Sequence, residues 1–137
     1  MNILFDTNVI LDWLLLREPF AADAGQAIAA AEIGQINGYL CATTITTLHY
    51  LIRKHKSADE TRVALRTLMN IFSVAGVTRT VIEAALLSKI NDFEDAVLYA
   101  AAVQVGATAI VTRNPRDFAH DRLPVYSAQE LLTLLKL

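Results

Sequence analysis

Cysteine is almost missing from this chain. Cys41 stands alone among 137 residues, so no internal disulfide can form, and a reducing compartment, the cytoplasm, is the expected setting. Glycine (5) and proline (3) are sparse, and no stretch gathers them into a linker, a low-complexity segment or a Gly-rich phosphate loop. Long hydrophobic runs are missing as well. The longest, Ala96 to Val103, falls far short of the ~18 residues that span a bilayer, so no membrane insertion is expected. Nor does a basic segment precede an apolar one at the start in the manner of a secretory signal. With a net charge of -2 the protein has no basic excess to coat nucleic acid by bulk electrostatics, so any such contact must be local. What is present is 54% apolar and 19% charged side chains, enough for a core without disulfides, at a length that predicts a single domain over residues 1–137.

Short apolar segments alternate with helical patterns. Met1 to Phe5 predicts a strand, and Asp6-Thr7-Asn8 then supplies residues able to cap a helix over Val9 to Leu16. Pro19 interrupts that helix before another from Phe20 to Ile33. Further strands are expected at Tyr39 to Ala42, Ile71 to Val74, Thr108 to Thr112 and Val125-Tyr126. The helices between them begin at Thr43-Thr44, where Ile45, Leu48, Leu51 and Ile52 share one face, and run over Asp59 to Asn70 and Val81 to Leu87. Asn91-Asp92 caps an alanine-rich helix that Gly106 stops, and Ser127 caps a last one to Leu135. Short, fully apolar strands separated by helices predict an α/β fold, a three-layer α/β/α sandwich around a parallel sheet.

In such a sheet ligands bind beyond the carboxyl ends of the strands, which singles out three polar places. Asp6-Thr7-Asn8 follows the first strand; helix capping explains it as well as a catalytic role does. Asp92-Phe93-Glu94-Asp95 opens a helix with hardly a polar atom, so it must be buried. Carboxylates at its mouth repel unless a cation or the helix dipole offsets them. Asp92 as N-cap, with Asp95 three positions on, accounts for two of these acids and leaves Glu94 over. The third place, Thr112-Arg113-Asn114-Pro115-Arg116-Asp117-Phe118, reads alone as a surface turn. Oxygen ligands converging on one rim favour Mg2+ or Mn2+ over zinc, which prefers paired His or Cys. His49, His55 and His120 lack ligand spacing and are expected to be surface or packing residues.

Taken in order, Asp6-Thr7-Asn8-Val9-Ile10-Leu11-Asp12, Asp95-Ala96 and Val111-Thr112-Arg113-Asn114 with Asp117-Phe118 carry a resemblance over nearly the whole chain. The sequence resembles the PIN-domain ribonucleases, and among them the VapC-like toxins of type II toxin–antitoxin pairs. That resemblance implies a cluster of acids binding Mg2+ or Mn2+ to cut RNA phosphodiesters. By the same resemblance Asp6 matches the first acid and Asp95 the third; Asn114 matches the fourth acid or its amide substitute, Asp117 the acid just beyond, and Asn8 the residue orienting the first carboxylate. The second acid is missing. Thr47, in Thr43-Thr44-Ile45-Thr46-Thr47-Leu48-His49-Tyr50, stands nearest its place, and Glu94 is expected to restore the charge.

The expected function is therefore a metal-dependent endoribonuclease. Asp6, Glu94, Asp95 and Asp117 are its catalytic acids, and these four with Asn114 its metal ligands. Asn8, Thr47, Asp92 and Thr112 support them, and Arg113 and Arg116 bind substrate phosphate. The Arg53-Lys54-His55-Lys56 run would extend an RNA track, although cations at a helix end also suit the dipole. RNA, a small antitoxin and a second copy of the chain are the expected partners. Two alternatives stand beside this reading: a degenerate PIN domain that binds RNA or protein without cutting, and a receiver-like phosphoacceptor domain. The second calls for an aspartate ending the middle strand and a later strand-end lysine, a pairing not found here.

Overall fold

A computed structural model describes residues 1–118 and 122–136 of the chain. Strand β1 (Asn2–Phe5) leads into helices α1 (Thr7–Leu14) and α2 (Ala21–Glu32), and β2 (Asn37–Cys41) into α3 (Ala42–Ile52) and α4 (Ala58–Ile71). After β3 (Ser73–Ala75) come α5 (Arg79–Leu87) and α6 (Phe93–Gln104). Then follow β4 (Ala109–Val111), a 3-10 turn (Pro115–Phe118), β5 (Val125–Tyr126) and α7 (Ala128–Leu135). All strand pairs are parallel, in the order β3-β2-β1-β4-β5.

The pleat of β1 divides the core. Ile3 and Phe5 point to the side packed by α1, α2, α3, α4 and α7, while Leu4 points to the side packed by α5 and α6. All three are completely buried, as a parallel strand covered on both faces requires. On the second side α6 buries Ala96, Val97, Leu98, Ala101 and Ala102, which explains why its sequence is apolar almost all round. The three-layer α/β sandwich expected from the alternation of elements is the observed fold.

Element ends differ in small, explicable ways. Helix α1 stops at Leu14 rather than Leu16, because Leu16 takes a left-handed backbone (φ 51°) that no helix continues. Strand β2 starts early, at Asn37, where pairing of Asn37 and Gly38 with Asn2 and Ile3 extends it. A Cβ on Gly38 would lie 2.6 Å from a ring carbon of Phe72, so only glycine lets that strand pass the aromatic. Helix α4 runs through Ile71, and β3 therefore begins at Ser73. His49 and His55 are exposed, as expected, whereas His120 lies outside the described residues. Among the described residues no helix is long and apolar enough to cross a membrane.

Strand order fixes where a site can form. The chain builds outward from β1 to β2 and β3, then returns to place β4 and β5 on the other side of β1. Beyond the carboxyl ends of β1 and β4 the connections diverge and leave a crevice.

Candidate active site

Register brings the first two site residues together. Phe5 pairs with Val111, so the residues that follow them, Asp6 and Thr112, leave the sheet side by side. The Thr112 hydroxyl donates to Asp6 Oδ2 (2.7 Å), and the Thr7 amide donates to Asp6 Oδ1 (2.7 Å). Asp6 is the N-cap of α1, so the capping reading and the site reading describe the same carboxylate. Each of its oxygens keeps one lone pair beyond the recorded bond. Burial pushes the Asp6 carboxyl above its usual range, helped by the charges of Glu94 and Asp117 and opposed by the Thr112 and Thr7 hydrogen bonds.

Helix α6 delivers the next acids. Asp92 caps it by accepting from the Asp95 amide (3.0 Å), which sets Glu94 and Asp95 in the first turn at the helix mouth. The half-buried Asp95 carboxyl is raised from 3.8 to about 7, by burial first and then by Asp6, Asp92, Asp117 and Glu94. Asn91, Asp92, Asp95, Arg116 and Asp117 line one open cleft of about 260 Å³. Glu94 turns the other way, toward α3, where its Oε1 accepts from the Thr47 hydroxyl (3.3 Å). Thr47 and Glu94, singled out separately in the sequence, thus meet.

Two expectations need correction. Arg113 does not present its guanidinium to substrate: Nε donates to Asp12 Oδ2 (3.1 Å), a second nitrogen bonds Asp12 Oδ1, and the fork lies over the Phe20 ring, 4.3 Å from its centroid. The physical reason is that Asp12, only 2% exposed, would otherwise be a buried unpaired charge. Asn8 does not orient the Asp6 carboxylate either. Its Oδ1 accepts the Arg113 backbone amide (3.2 Å), leaving the orienting to Thr112 and Thr7. The basic run from Arg53 to Lys56 follows the last turn of α3, and none of its residues is among those that line the cleft of Asp95 and Asp117.

The Asp12–Arg113 pair was missed in the sequence. Its signal was one acid in the otherwise apolar run Val9 to Leu16, a charge that would need a partner wherever that helix packed.

Oxygen donors dominate the rim, namely carboxylates, hydroxyls and the exposed Asn114, and they suit a hard dication. Among the described residues, no three His, Cys, Asp or Glu side chains are gathered in metal-holding geometry. Like charges explain the spread: Glu94 leans on Thr47, Asp92 on its helix end and Asp6 on β4. Even so, the donor chemistry and the raised Asp6 and Asp95 fit a dication, since positive charge would relieve both.

A family model described as PIN domain matches residues 2–116. The chain belongs to the PIN-domain family. Solved structures of similar fold include VapBC2 from Rickettsia felis bound to a promoter DNA fragment, at 12% identity and TM-score 0.69 over 91% of this chain and 97% of that one. A toxin-antitoxin complex from Klebsiella pneumoniae is 24% identical, with TM-score 0.72 over 92% and 97%. A sarcin-ricin loop cleaving VapC toxin from Mycobacterium tuberculosis is 16% identical, with TM-score 0.64 over 79% and 86%. No curated protein matches the sequence. In this PIN domain Asp6 lies close enough to Asp95 to raise its carboxyl, while the helix after β2 carries no acid among its 11 residues.

Proposed function

We propose that this PIN domain is a divalent-metal-dependent endoribonuclease that hydrolyses RNA phosphodiester bonds, and that it is the toxin of a toxin–antitoxin pair. The observation that carries the proposal is the gathering of Asp92, Asp95 and Asp117 on one cleft, in the crevice where the strand order reverses, with the Asp95 carboxyl raised by burial and by the neighbouring carboxylates. Keeping these acids together costs stability unless a cation joins them. Asp6, Glu94, Asp95, Asn114 and Asp117 would hold Mg2+ or Mn2+. The bound ion supplies the charge that acidifies an attacking water and offsets the phosphodiester. Thr112 and the Thr7 amide fix the Asp6 carboxylate in one orientation, and Thr47 fixes Glu94. Glu94 thereby brings a carboxylate to the α3 side of the site, where Thr47 has none to offer. Arg116, on the cleft wall beside Asp117, would meet a phosphate.

VapC toxins and toxin-antitoxin complexes among the structures of similar fold support an antitoxin as partner, and the sarcin-ricin loop cleaving toxin supports RNA as substrate. A second copy of the chain is the other proposed partner, and the cytoplasm the proposed setting.

The non-cutting alternative is favoured by one observation, the missing acid on α3. The two part cleanly in one assay: cleavage of structured RNA with Mn2+, with chelator, and with Asp6→Asn. Cutting that needs Mn2+ and disappears in the variant is the expected outcome. Binding of RNA without cutting, equal in both proteins, would favour the alternative.

A further inference from the structure

We infer that Asp12 and Arg113 are positioning residues, whose ion pair clamps the segment after β4 onto α1 and so fixes where Asn114, Arg116 and Asp117 stand at the rim. The inference rests on the proposed metal site for its consequence, but its geometry is independent of it.

Asn8 and Asp12 are four apart on α1 and lie one above the other on a single face. That face receives Arg113 twice. The backbone amide is held at Asn8, and the guanidinium reaches one turn further to both oxygens of Asp12. Just before it, Thr112 is held by Asp6; just after it, the Asn114 amide donates to Thr112 Oγ1 (3.2 Å). The 3-10 turn then hangs from this point, the Asp117 amide donating to the Asn114 carbonyl (3.1 Å). Thr112 is thereby tied to the N-cap of α1, Arg113 to α1 itself, and Asn114 to Thr112. A planar, two-pronged pair fixes orientation as well as distance, which a hydrophobic contact at the same place would not do. Buried pairs of this kind add little stability over well-packed apolar residues. Registration of the loop is the property that apolar residues would lose.

The test separates registration from stability. Wild type, Arg113→Lys, Arg113→Met and the double variant Asp12→Leu/Arg113→Met are compared by urea unfolding, by amide hydrogen exchange without metal, and by Mn2+ titration. Arg113→Met alone loses stability because Asp12 is left buried and unpaired, and the double variant regains most of it. In the double variant the amides of positions 113 and 114 nevertheless exchange at least about tenfold faster than in wild type, and Mn2+ binding weakens about tenfold. Arg113→Lys, which keeps the charge but not the fork, should lie between wild type and the double variant in exchange. A double variant with native exchange at 113 and 114 overturns the inference, as does unchanged Mn2+ affinity when wild type binds the ion. If wild type binds no Mn2+, the proposed metal site fails, and exchange alone decides the clamp.

Discussion

Asp12, along α1, and Asp95, in the first turn of α6, are two acids in opposite circumstances. Asp12 is almost fully buried and has both of its oxygens taken by Arg113, while Asp95 is half-buried and raised to about 7 among Asp6, Asp92, Asp117 and Glu94. The first carboxylate carries its countercharge within the fold. The second is held where burial and four anions disfavour its charge, a placement that folding by itself gives no reason to keep. The contrast separates acids that join the chain to itself from acids that wait for something else, and each side of it can be broken by measurement.

The largest effect should come from the paired side. Arg113→Met is expected to lower unfolding free energy by about 3 kcal/mol in urea at pH 7, the cost of stranding a buried carboxylate. A loss below about 1 kcal/mol, the range of an exposed pair, would mean that Asp12 needs no partner and would erase the contrast.

The unpaired side is read through pH. Because the folded-state pKa of Asp95 lies above its ordinary 3.8, the native protein holds a proton that the unfolded chain has released between about 4 and about 7. Stability from this group is thus complete below pH 4 and is lost as pH rises through 7, with Asp6 shifted in the same direction. Metal-free Asp95→Asn should therefore melt higher than wild type at pH 8 and alongside it at pH 4. Mn2+ should raise the wild-type midpoint at pH 8 more than at pH 5. Equal melting of the two proteins at pH 8 without metal would remove the argument that these acids repel.

The smallest effect sharpens the comparison further. Asp92→Asn keeps an oxygen to cap α6 but removes one of the four anions beside Asp95. The Asp95 midpoint, followed by NMR of its carboxyl carbon, should fall below about 7 yet remain above 3.8, since burial is its leading cause. An unmoved midpoint would mean that Asp92 is screened from Asp95.

Much of this arrangement was legible in the sequence because its signals are local. Val125-Tyr126 and the caps at Asp92 and Ser127 follow from neighbouring residues, and so do the apolar faces that set the layers. Acids placed just after apolar strands pointed to one rim, since strand direction is shared in a parallel sheet. Long-range pairings were not legible. Thr112 reaches Asp6 across 106 positions and Arg113 reaches Asp12 across 101, and no periodicity encodes which arginine of Arg113 and Arg116 turns inward. The Thr47–Glu94 contact, across 47 positions, was approached only because an acid was missing from one element and surplus in another.

The central place of β1 has a last consequence. Its neighbour on one side, β4, comes from a segment far along the chain, and with it come Thr112 and Arg113. Until that distant strand docks, Asp6 lacks the hydroxyl that orients it, so the rim is assembled by a late, long-range pairing rather than by the local turn that Asp6 begins.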